Sequence, residues 1–188
     1  MYMQKSVIII FMMLLLATAV SIGCGGNGMS LKDAKDSFSE LVADANLNDM
    51  NLTIYYMRPG IDTHAPLSAD NLVYGILAIN DPPRKKDDAN GVYEYKIVVE
   101  GNRLAEHLDL LRQLNDAILV PVDHASRLNA RIYYMFATKK AGKLFDVAMW
   151  SHNNGQSIFV NGAEVKEDAV FYNVIIPFLP EGAVKGHV

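Results

Sequence analysis

Hydrophobic and polar positions alternate with different periods along the chain. Residues 7–23 form a nearly unbroken apolar run. From Leu31 the period becomes helical. Leu31, Ala34, Phe38, Leu41, Val42 and Ala45 recur on one side, with Lys32, Asp36, Glu40 and Asp44 on the other. This predicts an amphipathic helix from Ser30 to about Asn46, opened by Ser30 and Asp33 as a variant capping box. The period then drops to two over 51–57. There Leu52, Ile54 and Tyr56 alternate with Thr53, Tyr55 and Met57, a strand ended by Arg58-Pro59-Gly60. Residues 72–79 are continuously apolar and read as a buried strand, with Ser68 offering a helix start as the alternative. A polar loop over 80–91 follows, its Lys, Arg and Asp charges largely cancelling. Residues 92–99 return as a strand with Tyr93, Tyr95, Ile97 and Val99 on one face.

The second half opens with a helix from Asn102 to about Asn115, buried along Leu104, Leu108, Leu111 and Leu114. Residues 117–122 read as a short edge strand because Pro121 cannot donate to a ladder. The remainder predicts a β-meander: a strand at 130–138, a turn at 139–142, a strand at 143–151 and a turn at 153–155. Its last unit is a hairpin of 156–160 with 163–166 across Asn161-Gly162, a dipeptide suited to a type I′ turn. Along 143–151, Leu144, Asp146, Ala148 and Trp150 fall on one face and Phe145, Val147 and Met149 on the other. Residues 167–178 form a closing helix or buried segment, and 181–188 a loose tail. The fold class expected is α+β: a mostly antiparallel sheet with a C-terminal β-meander and two or three amphipathic helices mainly on one face. Ile-Tyr-Tyr-Met occurs at both 54–57 and 132–135, so a tandem α–β repeat is an open alternative to coincidence.

The apolar run at the start changes the picture most. Lys5 precedes it, it falls short of the about 20 residues that span a bilayer, and it ends in small residues before the only cysteine of the chain. Ser21-Ile22-Gly23-Cys24 resembles the lipobox of bacterial lipoproteins, with Gly23 and Cys24 matching and Ser21 where that family usually carries Leu. The resemblance implies cleavage before Cys24, acylation of that residue and attachment to the cell membrane through the lipid, facing outside the cytoplasm. The expected organisation is a signal peptide at 1–23, a lipidated cysteine with a Gly-rich tether at 24–29, a single domain at 30–180 and the tail. A lone cysteine forms no internal disulfide, so an exported domain of this sequence stands without one.

Charge and chemistry narrow the function classes. The formal net charge is −4, and loss of Lys5 with the signal makes the remainder more acidic, which disfavours nucleic acid as a partner. There is no nucleophile elbow, phosphate-cradling loop or His-Glu-x-x-His. His64, His107, His124 and His152 lie far apart, so no catalytic set, metal site or cofactor is expected. Aromatic residues are the more informative feature. Tyr55, Tyr134, Trp150 and His152 are the candidate binding surface, against the alternative that the aromatics are core. The reading is a non-catalytic domain that binds an envelope protein, a peptide or a small ligand. An envelope assembly factor is the alternative, followed by a small hydrolase using Asp123, His124 or His152.

Overall fold

The computed structural model describes residues 31–41, 43–57, 65–79, 94–123, 126–150 and 157–179. The signal, Cys24, the tether, the whole polar loop 80–91, His64, His124, His152 and the tail lie outside the described residues. Six strands form one antiparallel sheet in the order β2-β1-β3-β4-β5-β6. They are β1 (Met50–Met57), β2 (Glu94–Glu100), β3 (Ile132–Thr138), β4 (Gly142–Met149), β5 (Ile158–Val160) and β6 (Ala163–Val165). The fold is therefore α+β, and β3 to β6 make the expected C-terminal meander.

The helices are short. They are α1 (Leu31–Leu41), α2 (Ala69–Ile79), α3 (Gly101–Ala105), α4 (Leu108–Leu111) and α5 (Val170–Asn173), with 3₁₀ turns at Asp44–Asp49, Asp116–Ile118 and Ile176–Phe178. All but α2 serve one face of the sheet. There Leu52, Ile54 and Tyr56 of β1, Ile132, Tyr134 and Phe136 of β3, and Phe145, Val147 and Met149 of β4 form a single core. Ala34, Phe38 and Leu41 of α1 join it, with Leu104, Leu111, Phe171, Val174 and Phe178. Phe38 meets Phe145 edge-on at 4.3 Å, and Phe145 stacks on Phe136 at 4.9 Å. Each such fully buried large apolar side chain contributes about 1.5–3 kcal/mol. The opposite face carries a smaller cluster, in which α2 lays Leu72 and Ile76 over Tyr55 and Met57 beside Ala130.

Three sequence expectations change form. Residues 72–79 lie in helix α2, not a strand: Ser68 Oγ accepts the Asn71 N–H at 3.1 Å, satisfying a first-turn donor. The helix expected at 102–115 is broken between Ala105 and Leu108; of the four leucines of its stripe, Leu104, Leu111 and Leu114 are buried and Leu108 is partly buried against the core. Residues 117–122 begin as a 3₁₀ turn and bridge the sheet at Pro121, opposite Val165 at the β6 edge, while Leu119 packs into the main core. The Asn161-Gly162 turn forms as its residues dictate, with φ of 49° and 78°. The β3–β4 register shifts between Phe136 and Ala137, leaving Leu144 of β4 as the extra residue; Leu144 joins the main core, while Asp146 and Ala148 keep the opposite face.

The two Ile-Tyr-Tyr-Met copies pair with each other across β1 and β3. Tyr55 stands opposite Tyr133, Ile54 opposite Tyr134 and Tyr56 opposite Ile132. A local two-fold through the Tyr55–Tyr133 pair thus carries each residue of one copy onto the same residue type of the other. Tyr56 and Tyr134 fall on the main core and Tyr55 and Tyr133 on the other face. The symmetry does not extend to the connections: β1 leads to β2 past helix α2, whereas β3 leads to β4 through a tight turn.

Candidate binding face

The face of the sheet that carries α2 holds most of the residues with recognition chemistry. Alternation in β1, β3 and β4 sends Thr53, Tyr55 and Met57, then Tyr133 and Met135, then Asp146 and Ala148 to this side. Arg131 and Trp150 follow the same alternation just beyond the ends of β3 and β4. The Arg131 N–H bonds the Met149 carbonyl at 2.9 Å, so their two side chains meet, and the guanidinium lies 4.8 Å from the Trp150 ring centroid. Trp150 is half-buried and Arg131 is buried, its Nη1 donating to Asn129 Oδ1 at 3.0 Å. A guanidinium held over an indole is a cation–π pair, worth about 0.5–2 kcal/mol according to its desolvation.

A polar network continues along β3 and β4. The Tyr133 hydroxyl donates to Asp146 Oδ2 at 3.3 Å, and Lys143 Nζ reaches the same oxygen. Asn161 locks the strand behind it. Its Oδ1 accepts the Asp146 N–H at 2.8 Å and its own N–H donates to the Asp146 carbonyl. Burial first, and then the neighbouring Asp146 carboxylate, push the Tyr133 hydroxyl well above the ordinary tyrosine range. Burial alone raises Tyr55, whose ring lies 6.1 Å from that of Tyr133 and has Lys96 Nζ 5.8 Å above it. At the β6 end, Glu164 accepts from the Ser126 hydroxyl at 2.6 Å and from the Ser126 N–H, with Ser157 against the same hydroxyl. Partial burial would raise the Glu164 carboxyl. The hydrogen bonds from Ser126 and Ser157 outweigh that and hold it below its usual value.

Of the described residues among those singled out from the sequence, Trp150 stands half-open on this face. Tyr55 shares the face but is 5% exposed beneath α2. Tyr134 is corrected to a core residue: it is on the opposite side, fully buried, and its hydroxyl donates to the Phe171 carbonyl at 2.8 Å. A tyrosine whose oxygen already serves a buried backbone group has nothing left to offer a ligand. His152 and Cys24 lie outside the described residues. Sequence reasoning missed Arg131, whose only sign was a charge just before a strand of known face. It also missed the pairing of Lys143 with Asp146, three positions apart.

Chemically the face offers an aromatic surface, a buried cation beside it and a carboxylate flanked by donors. These are means of binding. Among the described residues no imidazole stands beside Ser126 and Glu164, and His107, the histidine among them, packs its ring against Phe178 at 5.1 Å. Among the described residues no group of three His, Cys, Asp or Glu could hold a metal ion, and no helix is long and apolar enough to cross a membrane. A shallow pocket of about 290 Å³ opens at the end of α1 between Phe38, Arg112 and Leu114. Its Asn115 is spent on the chain itself, accepting from the Ala117 N–H at 2.9 Å and donating to the Gln113 carbonyl. Comparison of the chain with protein families, curated proteins and solved structures finds no match.

Proposed function

We propose that this chain is a membrane-anchored extracytoplasmic lipoprotein whose α+β domain binds a protein, peptide or small ligand and performs no catalysis. The observation that carries the reading is the apolar run 7–23 ending on the one cysteine of the chain. A thiol is the common side chain nucleophilic enough to take a diacylglyceryl thioether. Once the amino group is also acylated, the several chains give durable attachment, since each buried methylene adds about 0.8 kcal/mol. The binding part of the proposal is supported by Trp150, half-open over the buried Arg131 guanidinium.

The test uses the full chain expressed in bacterial cells. The intact mass of the membrane-extracted protein is expected to show loss of 1–23 and addition of lipid. Cys24→Ser is expected to abolish the lipid and release the protein from membranes. An unlipidated mature mass from wild type overturns the anchoring. For binding, cross-linking in intact cells should capture a partner that Trp150→Ala loses while the domain stays folded. Equal capture by the variant moves the site away from this face.

A further inference from the structure

The two edges of the sheet are treated differently. At the β6 edge the chain itself adds a cover: Pro121 bridges Val165, and the Lys166 N–H donates to the Val120 carbonyl at 2.7 Å. At the β2 edge no described strand follows, and the backbone groups of β2 that point away from β1 meet no partner among the described residues. Such an edge is a template for another strand unless its side chains forbid it. Val98 lies on this edge strand with 55% of its surface exposed, and α2, which packs against β2 and β1, exposes Tyr74 at 76%.

We infer that β2 is a self-association edge, at which a second copy of this chain pairs antiparallel about Val98 and continues the sheet across a two-fold axis. The charges select the copy and the register. Lys96, Val98 and Glu100 share one face, and directly opposed residues of an antiparallel pair share a face, so each residue of β2 is a candidate pivot. A pivot at Lys96 sets lysine against lysine. A pivot at Ile97 sets Lys96 against the apolar Val98. A pivot at Tyr95 pairs only positions 94–96 of β2 and carries Val98 past the start of the partner strand, and a pivot at Val99 sets Val98 against Glu100 and leaves Lys96 without an opposed residue in β2. The pivot at Val98 places Lys96 opposite Glu100 twice, Val98 on Val98 over the exposed apolar spot, and Ile97 opposite Val99 on the core side. Opposite charges and apolar contacts in opposed pairs each favour the ladder, and like charges oppose it. Charged residues that would blunt this edge toward an arbitrary strand are complementary to their own copy. The seam is short, below the about 1,200 Å² of standard interfaces, so the dimer is a weak one with Kd of about 10–100 µM.

The test uses the full chain in detergent micelles and in membranes, with Cys24 kept in every sample so that the parent reports its background. Opposed Val98 residues have Cα atoms about 4.5–5.5 Å apart, within disulfide reach, whereas two Lys96 residues are offset by about 13 Å. Val98→Cys is expected to give at least about tenfold more disulfide dimer than Lys96→Cys. In sedimentation, Val98→Lys is expected to be monomeric where the parent dimerises, with an unchanged melting temperature because Val98 is exposed. A parent that stays monomeric at about 100 µM, equal cross-linking at Lys96 and Val98, or cross-linking of Val98→Cys to a different protein alone, each overturns the inference.

Discussion

Tyr134 is a phenol inside the core, and its one hydrogen bond decides what it is for. Replacing it with Phe keeps the ring against Phe136, 6.1 Å away, but leaves the Phe171 carbonyl without its donor. Tyr134→Phe is expected to destabilise by about 1–3 kcal/mol in urea unfolding, the cost of an orphaned buried acceptor. Other tyrosines give the protein an alkaline limit. Burial pushes the Tyr172 hydroxyl to about 12 and carries Tyr133 and Tyr134 up as well. An unfolded tyrosine titrates near about 10. Above that pH the unfolded chain releases protons that the folded one retains, so the stability these groups contribute is whole below about 10 and is lost as pH rises toward about 12. The melting temperature should be flat up to about pH 9.5 and then decline, and Tyr172→Phe should decline less steeply.

At the level of elements, two glycines make opposite predictions from the same substitution. Gly101 begins α3 directly after β2, pressed against the 3₁₀ turn Asp44–Asp49. A Cβ there would overlap the Leu47 carbonyl and come within 2.9 Å of the Asn48 Cα, all of it backbone. Gly101→Ala should cost about 3 kcal/mol or more, read from the urea midpoint. Gly75 sits inside α2 with nothing within 4 Å of its missing Cβ, so Gly75→Ala should stabilise by about 0.5–1 kcal/mol. The elements that could be read from the sequence were those specified locally. The Asn161-Gly162 hairpin follows from two residues that accept positive φ, and α1 from its own period. Residues 72–79 read as a strand because an apolar helix lying on one face of a sheet and an interior strand show the same unbroken apolar run. The Ser68 cap, not the periodicity, separates them. The break between α3 and α4 had no local mark either, because Leu104, Leu111 and Leu114 keep their places in the core across it.

For the whole molecule, the legible part was the class and the meander, and the illegible part was how the faces are shared. The alternation of Tyr55 with Tyr56 and of Tyr133 with Tyr134 showed that each strand sends a tyrosine each way. It did not show that α2 would cover Tyr55, or that Phe171 would claim the hydroxyl of Tyr134. Trp150 stayed half-open because it stands one residue past β4, where the ladder no longer buries it. The central pairing of β1 with β3 has a consequence in time. Ile54 finds its neighbour Ile97 only after α2 and the following loop have been made, and Tyr134 only after β2 and all the short helices behind it. Distant pairings of this kind delay closure of the sheet and slow folding. A chain emerging amino terminus first therefore carries β1 unmated until most of its length exists. On the export route proposed above, such lateness would hold the chain extended for its passage through the membrane.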